Sequence, residues 1–148
     1  MATIQVDIVS AEGEIYAGEA SMVFAPARMG EVGIAPRHAP LLTGLKPGGV
    51  RVQPAEGGGE LFFYVSGGML EVQPNRVIVL ADTAMRAKDL DEAAAEEARR
   101  RAEEMLKDRD SAMEVAKAQA ELSMAMAQLQ LMEKLRKVDQ DTLKKVRD

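Results

Sequence analysis

His38 is the single histidine of the chain, set between Arg37 and the Ala39-Pro40 pair in a stretch rich in glycine and proline. A histidine so placed invites a catalytic reading. A general base of this kind needs a nucleophile to deprotonate and a third group to orient it. The chain has no cysteine among its 148 residues, and no serine with an oriented base stands near His38. A metal centre would need several ligands at a definite spacing, which one histidine among scattered carboxylates does not supply. The triple glycine Gly57 to Gly59 precedes neither a helix nor a Gly-Lys-Ser/Thr ending, so it reads as a turn rather than a phosphate cradle. The residues therefore predict neither catalysis nor a metal site.

The other chemistry-bearing pattern is basic. Arg99, Arg100 and Arg101 are consecutive, and on a helix Glu96 with Arg100, Glu97 with Arg101, Arg99 with Glu103 and Arg100 with Glu104 form i,i+4 pairs. That describes a solvated charged face, although the triplet also suits an anion or an acidic partner. A second cluster, Lys134, Arg136, Lys137, Lys144, Lys145 and Arg147, closes the chain. It reads either as a contact for an acidic protein surface or as a solvated, partly frayed tail. The net charge of -5 argues against nucleic acid or anionic lipid as the main partner. The first residues, with Asp7 and no basic leader, do not read as a secretory signal, and the lack of cysteine fits a reducing compartment. No charge-free run, Leu61 to Leu70 included, approaches the ~20 apolar residues that a membrane span needs. Any membrane link is expected to pass through another protein.

The elements that must position these residues divide sharply. All 12 glycines and all 6 prolines precede residue 83, which predicts turns in the first part and uninterrupted helix in the second. In the first part "TIQVDIV" alternates, with Ile4, Val6 and Ile8 on one face. The runs "ASMVFA", "GVRVQ", "ELFFYV", "GMLEV" and "RVIVLA" follow, and "AEGGGE" and "QPNR" look like hairpin connections through residues tolerant of positive φ. Short strands at this spacing predict an all-β sandwich or flattened barrel over residues 1–84. Residues 85–88 read as a linker, and 89–148 as a helical hairpin with a C-terminal tail.

In that second part Asp89 with Glu92, and Ser111 with Glu114, match capping boxes, and residues 108–110 form a polar turn between them. The facing stripes are expected to be Leu90, Ala94, Ala98, Ala102 and Met105 on one helix. Ala118, Leu122, Ala125, Met126, Leu129 and Met132 form the other. Alanine allows close approach but buries little area at about 25 cal/mol per Å², and it favours each helix alone. Such a hairpin forms readily and docks weakly, which suits an element that opens; an ordinary static hairpin has the same pattern. On residues alone the chain is a β-sandwich interaction module with a helical arm, of the adaptor or chaperone-like kind.

Several long segments carry a resemblance: "VDIVSAEGEIYAG", "GEVGIAPRHAPLLTGLKPG", "YVSGGMLEVQPNRVIVLADTA", "DLDEA" and "AELSMAMAQL". In this order they resemble the epsilon subunits of bacterial F-type ATP synthases over essentially the whole chain, less so beyond about Lys137. The resemblance implies a β-sandwich followed by two helices, without catalytic residues or a metal. It implies a place in the central rotor stalk, bound to the gamma subunit and seated on the c ring, peripheral to the cytoplasmic face of the inner membrane. Glu31 and His38 match positions implicated in the ring contact. The hairpin would lie folded or extend along gamma into the alpha/beta catalytic head, where it blocks hydrolysis. Lys117, Lys134, Arg136 and Lys137 would then face an acidic region of the beta subunit. Some members bind ATP in the folded hairpin through an Ile/Leu-Asp-x-x-Arg-Ala motif. Here Leu90 and Asp91 match it, Arg101 can match a further phosphate contact, and Ala94 replaces the motif arginine. Met124 and Gln128 stand where nucleotide-binding members carry arginines, so ATP is expected to bind weakly or not at all, and no cofactor is expected.

Overall fold

The computed structural model of the protein describes residues 2–107 and 112–147. Its strands are β1 (Ile4–Ser10), β2 (Gly13–Ala27), β3 (Gly30–Ile34), β4 (Leu41–Leu45), β5 (Gly48–Pro54), β6 (Leu61–Val65), β7 (Gly68–Gln73), β8 (Arg76–Ala81) and β9 (Ala84–Arg86). A short 3-10 turn, Ala87–Asp89, leads to helices α1 (Glu92–Lys107) and α2 (Ala112–Arg147). The chain forms two compact units that divide between Arg86 and Ala87.

The first unit is one sheet closed on itself. β1 pairs in parallel with β8 (Val6 opposite Val77) and antiparallel with β2 (Val6 opposite Gly18). From β8 the ladder runs through β7 and β4 back to β2, and then through β5 and β6 to β9. The β2–β4 seam is narrow: Ala27 stands opposite Leu45, flanked by backbone bonds from Arg28 N–H to Gly44 O (3.0 Å) and from Lys46 N–H to Pro26 O (2.9 Å). The period-2 pattern places Ile4, Val6 and Ile8 fully inside, with Val50, Val52, Leu70, Val72, Val77 and Val79. No polar or charged residue is buried among the described residues. The packed core cluster is apolar, and no charged side chain of the described residues is buried.

Two strands were not apparent from the sequence. β3 and β4 both lie inside "GEVGIAPRHAPLLTGL", where glycine and proline obscure the alternation. Ile34 and Leu45 nonetheless point inward and join the core. The 85–88 linker is also corrected at its start, because Met85 and Arg86 pair with Tyr64 and Phe63 as part of β9. The Gly57 to Gly59 turn does use positive φ (80, 92 and 100°), whereas Asn75 does not; Arg37 is the one non-glycine with positive φ among the described residues. Pro74, with its φ fixed near -65°, turns the β7–β8 connection without it.

In the second unit the sequence signals are displaced by small amounts. Leu90 N–H still bonds Ala87 O (3.1 Å) in the 3-10 turn, so Asp89 cannot cap the helix. Asp91 does: its Oδ1 accepts from Ala94 N–H (3.2 Å) and its carbonyl from Ala95 N–H (3.0 Å). The seam keeps Ala102, Ala118 and Ala125 of the expected stripes and adds Ala95 and Leu131. Ala95 and Ala102 are buried while Ala94 is exposed, and on α2 Ala118, Ala125 and Leu131 are buried while Met126 is 38% exposed. Ser111 and the 108–110 turn lie outside the described residues. The helices run antiparallel, since Arg136, well into the second half of α2, reaches Glu92 at the start of α1 (2.7 Å). α2 continues as helix through Arg147, about three turns beyond Arg136, where the sequence suggested a tail.

Gly68 tests the sheet closure. Its φ is +133°, and a Cβ there would run into the Leu80 carbonyl oxygen and lie 2.9 Å from Ala81 Cα. Gly68→Ala adds backbone strain of about 1–3 kcal/mol to that displacement of β8. The expected result is a loss of at least ~2 kcal/mol in guanidinium unfolding. Both tyrosines, Tyr16 and Tyr64, lie in the first unit, so their fluorescence follows it alone. An unchanged midpoint would show that the β7–β8 edge relaxes freely.

Candidate functional site

The turn that carries His38 is held by backbone bonds. Arg37 adopts φ 67°, and its N–H reaches Pro74 O across the β7–β8 turn (2.8 Å). His38 N–H bonds Ala35 O (3.2 Å), and its Nδ1 donates to Ala39 O (2.7 Å). That bond requires the proton on Nδ1, so that in the neutral ring Nε2 is an acceptor. No hydroxyl or carboxylate bonds the ring among the described residues. Nor do three metal-ligating side chains converge anywhere among them. The turn is a shaped surface with one imidazole nitrogen available to a donor.

Glu31 belongs to a different cluster. It stands near the start of β3 beside Pro26, while His38 lies beyond the other end of that strand. The outward face of β2, β3 and β5 brings to Glu31 a residue that sequence reasoning missed, Arg51. Its Nη2 lies 3.4 Å from Glu31 Oε1 and its Nη1 3.3 Å from Glu60 Oε2. Its guanidinium carbon sits 4.1 Å from the Phe24 ring centroid. The available signal was the alternation of "GVRVQ", in which buried Val50 and Val52 force Arg51 outward. Nothing local indicated its partners, which are 20 and 9 residues away.

The outward face of β1, β8, β7 and β4 has the opposite character. Leu42 is 68% exposed, Leu80 49% and Met69 40%. Met69 stands directly opposite Leu80 on β8, so these two exposed side chains are cross-strand neighbours; on β4, Leu42 stands opposite Glu71, and the Arg28 side chain lies over Gly44. Beside it an open groove of about 410 Å³ is lined by Pro40, Leu41, Leu42, Glu71 and Gln73. Scattered exposed leucines need no explanation, but adjacent ones rimmed by polar groups mark a docking surface.

In the helical unit the candidate nucleotide residues are not brought together. Asp91 is engaged as the helix cap. Arg101 follows about 15 Å further along the axis and pairs with Glu97 (3.4 Å). Glu96 pairs with Arg99 at 2.7 Å rather than with Arg100. Of the basic residues on α2, Arg136 is bonded to Glu92 and Lys137 lies 3.8 Å from Glu133. Lys117 and Lys134 are exposed and form no ion pair among the described residues.

A closed sandwich followed by an alanine-seamed helical hairpin defines a small protein of one all-β and one all-α unit. The comparisons agree. The family models for the ATP synthase delta/epsilon chain match it twice, the β-sandwich domain over residues 3–87 and the long α-helix domain over 88–133. The chain is 63% identical over 137 residues to the ATP synthase epsilon chain of Halorhodospira halophila, covering 93% of this chain and 97% of that one. It is 64% identical to that of Alkalilimnicola ehrlichii over the same length and the same shares. The chain belongs to the ATP synthase epsilon-chain family. Among solved structures, a chain of the Euglena gracilis mitochondrial ATP synthase (OSCP/F1/c-ring) shares the fold with TM-score 0.77 at 19% identity, covering 86% of this chain and 79% of that one. A chain of the Tetrahymena thermophila central stalk/c-ring structure gives 0.58 at 14% identity, covering 87% and 96%.

Proposed function

We propose that this chain is a non-catalytic rotor-stalk subunit of a proton-driven ATP synthase, coupling proton translocation to ATP synthesis at catalytic sites on other subunits. The observation that carries the reading is the set of exposed apolar side chains Leu42, Met69 and Leu80 on one face of a unit whose core is otherwise complete. A finished sandwich has no use of its own for such side chains, whereas a permanent docking subunit does. Relatives at 63 and 64% identity named as epsilon chains support it. The gamma subunit is the occupant assigned to this face. The β3 region, with Glu31, and the His38 turn are assigned to the c ring. No helix among the described residues is long and apolar enough to cross a membrane, and attachment to the cytoplasmic face of the inner membrane runs through the complex.

Burying a leucine side chain contributes about 1.5–3 kcal/mol. Leu80→Asp removes that contribution and desolvates a charge at the interface, while leaving a half-exposed position on the free chain. Its affinity for gamma should fall by at least about tenfold, with tyrosine-monitored stability near that of the parent chain. Unchanged affinity would reassign the face.

The hairpin is proposed as the brake on hydrolysis. Its helices meet through Ala95 and Ala102 on α1 and Ala118, Ala125 and Leu131 on α2, a seam of mostly small contacts that separates at modest cost. Opening also frees Arg136 from Glu92, so that it joins Lys117, Lys134 and Lys137 in facing the acidic surface of a beta subunit within the alpha/beta head. Removing residues 89–148 is expected to raise ATP hydrolysis by the assembled enzyme; unchanged hydrolysis sinks the brake for this protein.

The hairpin is not proposed to sense ATP. Each missing charged phosphate contact removes about 1.5–3 kcal/mol, and Ala94, Met124 and Gln128 each lack one. Asp91 is engaged as a cap and Arg101 is held by Glu97, and neither is directed at a shared ligand. Calorimetry on the full chain is expected to show no saturable heat with ATP, and a micromolar Kd would contradict this.

A further inference from the structure

We propose that Arg51 is a positioning residue that orients Glu31 for the rotor contact, and that the partner surface presents a cationic or hydrogen-bond-donating group to Glu31. The inference rests on the reading of Glu31 as ring-facing and adds the device that holds it. Gly33, Phe24 and Arg51 form one row across β3, β2 and β5, because Phe24 stands opposite Gly33 on one side and Arg51 on the other. A Cβ on Gly33 would lie 3.2 Å from the Phe24 ring and 3.1 Å from Met22 Cε, so the ring lies close over the bare glycine backbone. The Arg51 guanidinium lies over that ring, within cation–π range. From this seat its two terminal nitrogens reach different carboxylates, Nη2 to Glu31 and Nη1 to Glu60.

The geometry assigns orientation rather than stability to the cluster. Pairs this exposed contribute little to folding. The planar fork, already immobilised by the ring, loses less side-chain freedom in holding Glu31 than an isolated pair would. β3 pairs with β2 alone, so it is an edge strand, and Arg51 reaches Glu31 across β2. Only Oε1 of Glu31 is engaged, and the side chain remains 49% exposed against 28% for Arg51. A partner therefore meets the Glu31 carboxylate first. With two carboxylates to one guanidinium the cluster carries a formal charge of about -1, which selects a cation or an N–H or O–H donor. Lysine in place of Arg51 would keep the charge but could not serve both carboxylates from a stacked plane.

The test uses the assembled enzyme in inverted membrane vesicles, reading protons pumped per ATP hydrolysed for Glu31→Gln, Arg51→Gln, Arg51→Lys and the Glu31→Gln/Arg51→Gln double variant. Each Gln variant should lower the ratio by a similar factor, on the order of two to five. Arg51→Lys should lie between these and the parent, and the double variant should be no worse than either single one. The melting temperature of the full-length Arg51→Gln chain should stay near the parent value. Additive losses, or normal coupling in Arg51→Gln beside a loss in Glu31→Gln, would overturn the role of Arg51 while leaving Glu31 as the contact. A melting temperature lowered enough to account for the loss would reassign Arg51 to the fold. Normal coupling in Glu31→Gln would remove the ring-facing reading itself.

Discussion

The length and pairing of β2 organise the first unit. Over 15 residues this strand pairs first with β1 and then with β5, β3 and β4. It can serve both halves of the sheet because its register shifts between Ala20 and Met22, the local bend that an irregular pairing allows. Through β2 the ladder returns to its start, and the inner faces of all the long strands converge on one apolar interior. Without that turn of the chain, β1 would stop at an open edge, paired to β8 alone.

Closure has a functional consequence. The interior holds no buried charge among the described residues, and its one large side chain with a polar atom among those most deeply buried is Tyr64. What remains for function is the outside, and the two outward faces differ. The β1–β8–β7–β4 face exposes Leu42, Met69 and Leu80. The β3–β2–β5 face carries Glu31, Arg51 and Glu60 in a charged network. An apolar face suits a durable partner, and a charged edge suits one that must be met in a defined orientation.

The helical unit follows a different rule. Its buried alanines recur at seven-residue spacing on both helices, Ala95 with Ala102 and Ala118 with Ala125, which returns each pair to nearly the same face after two turns. The seam permits close contact and contributes little burial per residue. Helix propensity keeps each element formed whether or not it is docked. The exposed Arg136–Glu92 pair adds a modest, salt-sensitive link. A seam of small side chains between two self-sufficient helices is what separates this unit from the closed sandwich.

Much of this was legible in the amino acids. The division into a glycine- and proline-punctuated β part and an uninterrupted helical part, the inward set Ile4, Val6 and Ile8, and the antiparallel helix pair all follow from local period and punctuation. Such signals are set by the few residues around each position. The tertiary structure decided what depends on register and on chain-distant neighbours. It placed β3 and β4 within a stretch that local composition disguised as loop, and moved the cap from Asp89 to Asp91 because a 3-10 turn came first. It separated Glu31 from His38, and it brought Arg51 between Glu31 and Glu60 over Phe24. No local pattern could specify that meeting, because strand pairing alone fixes which outward side chains of distant segments stand in one row.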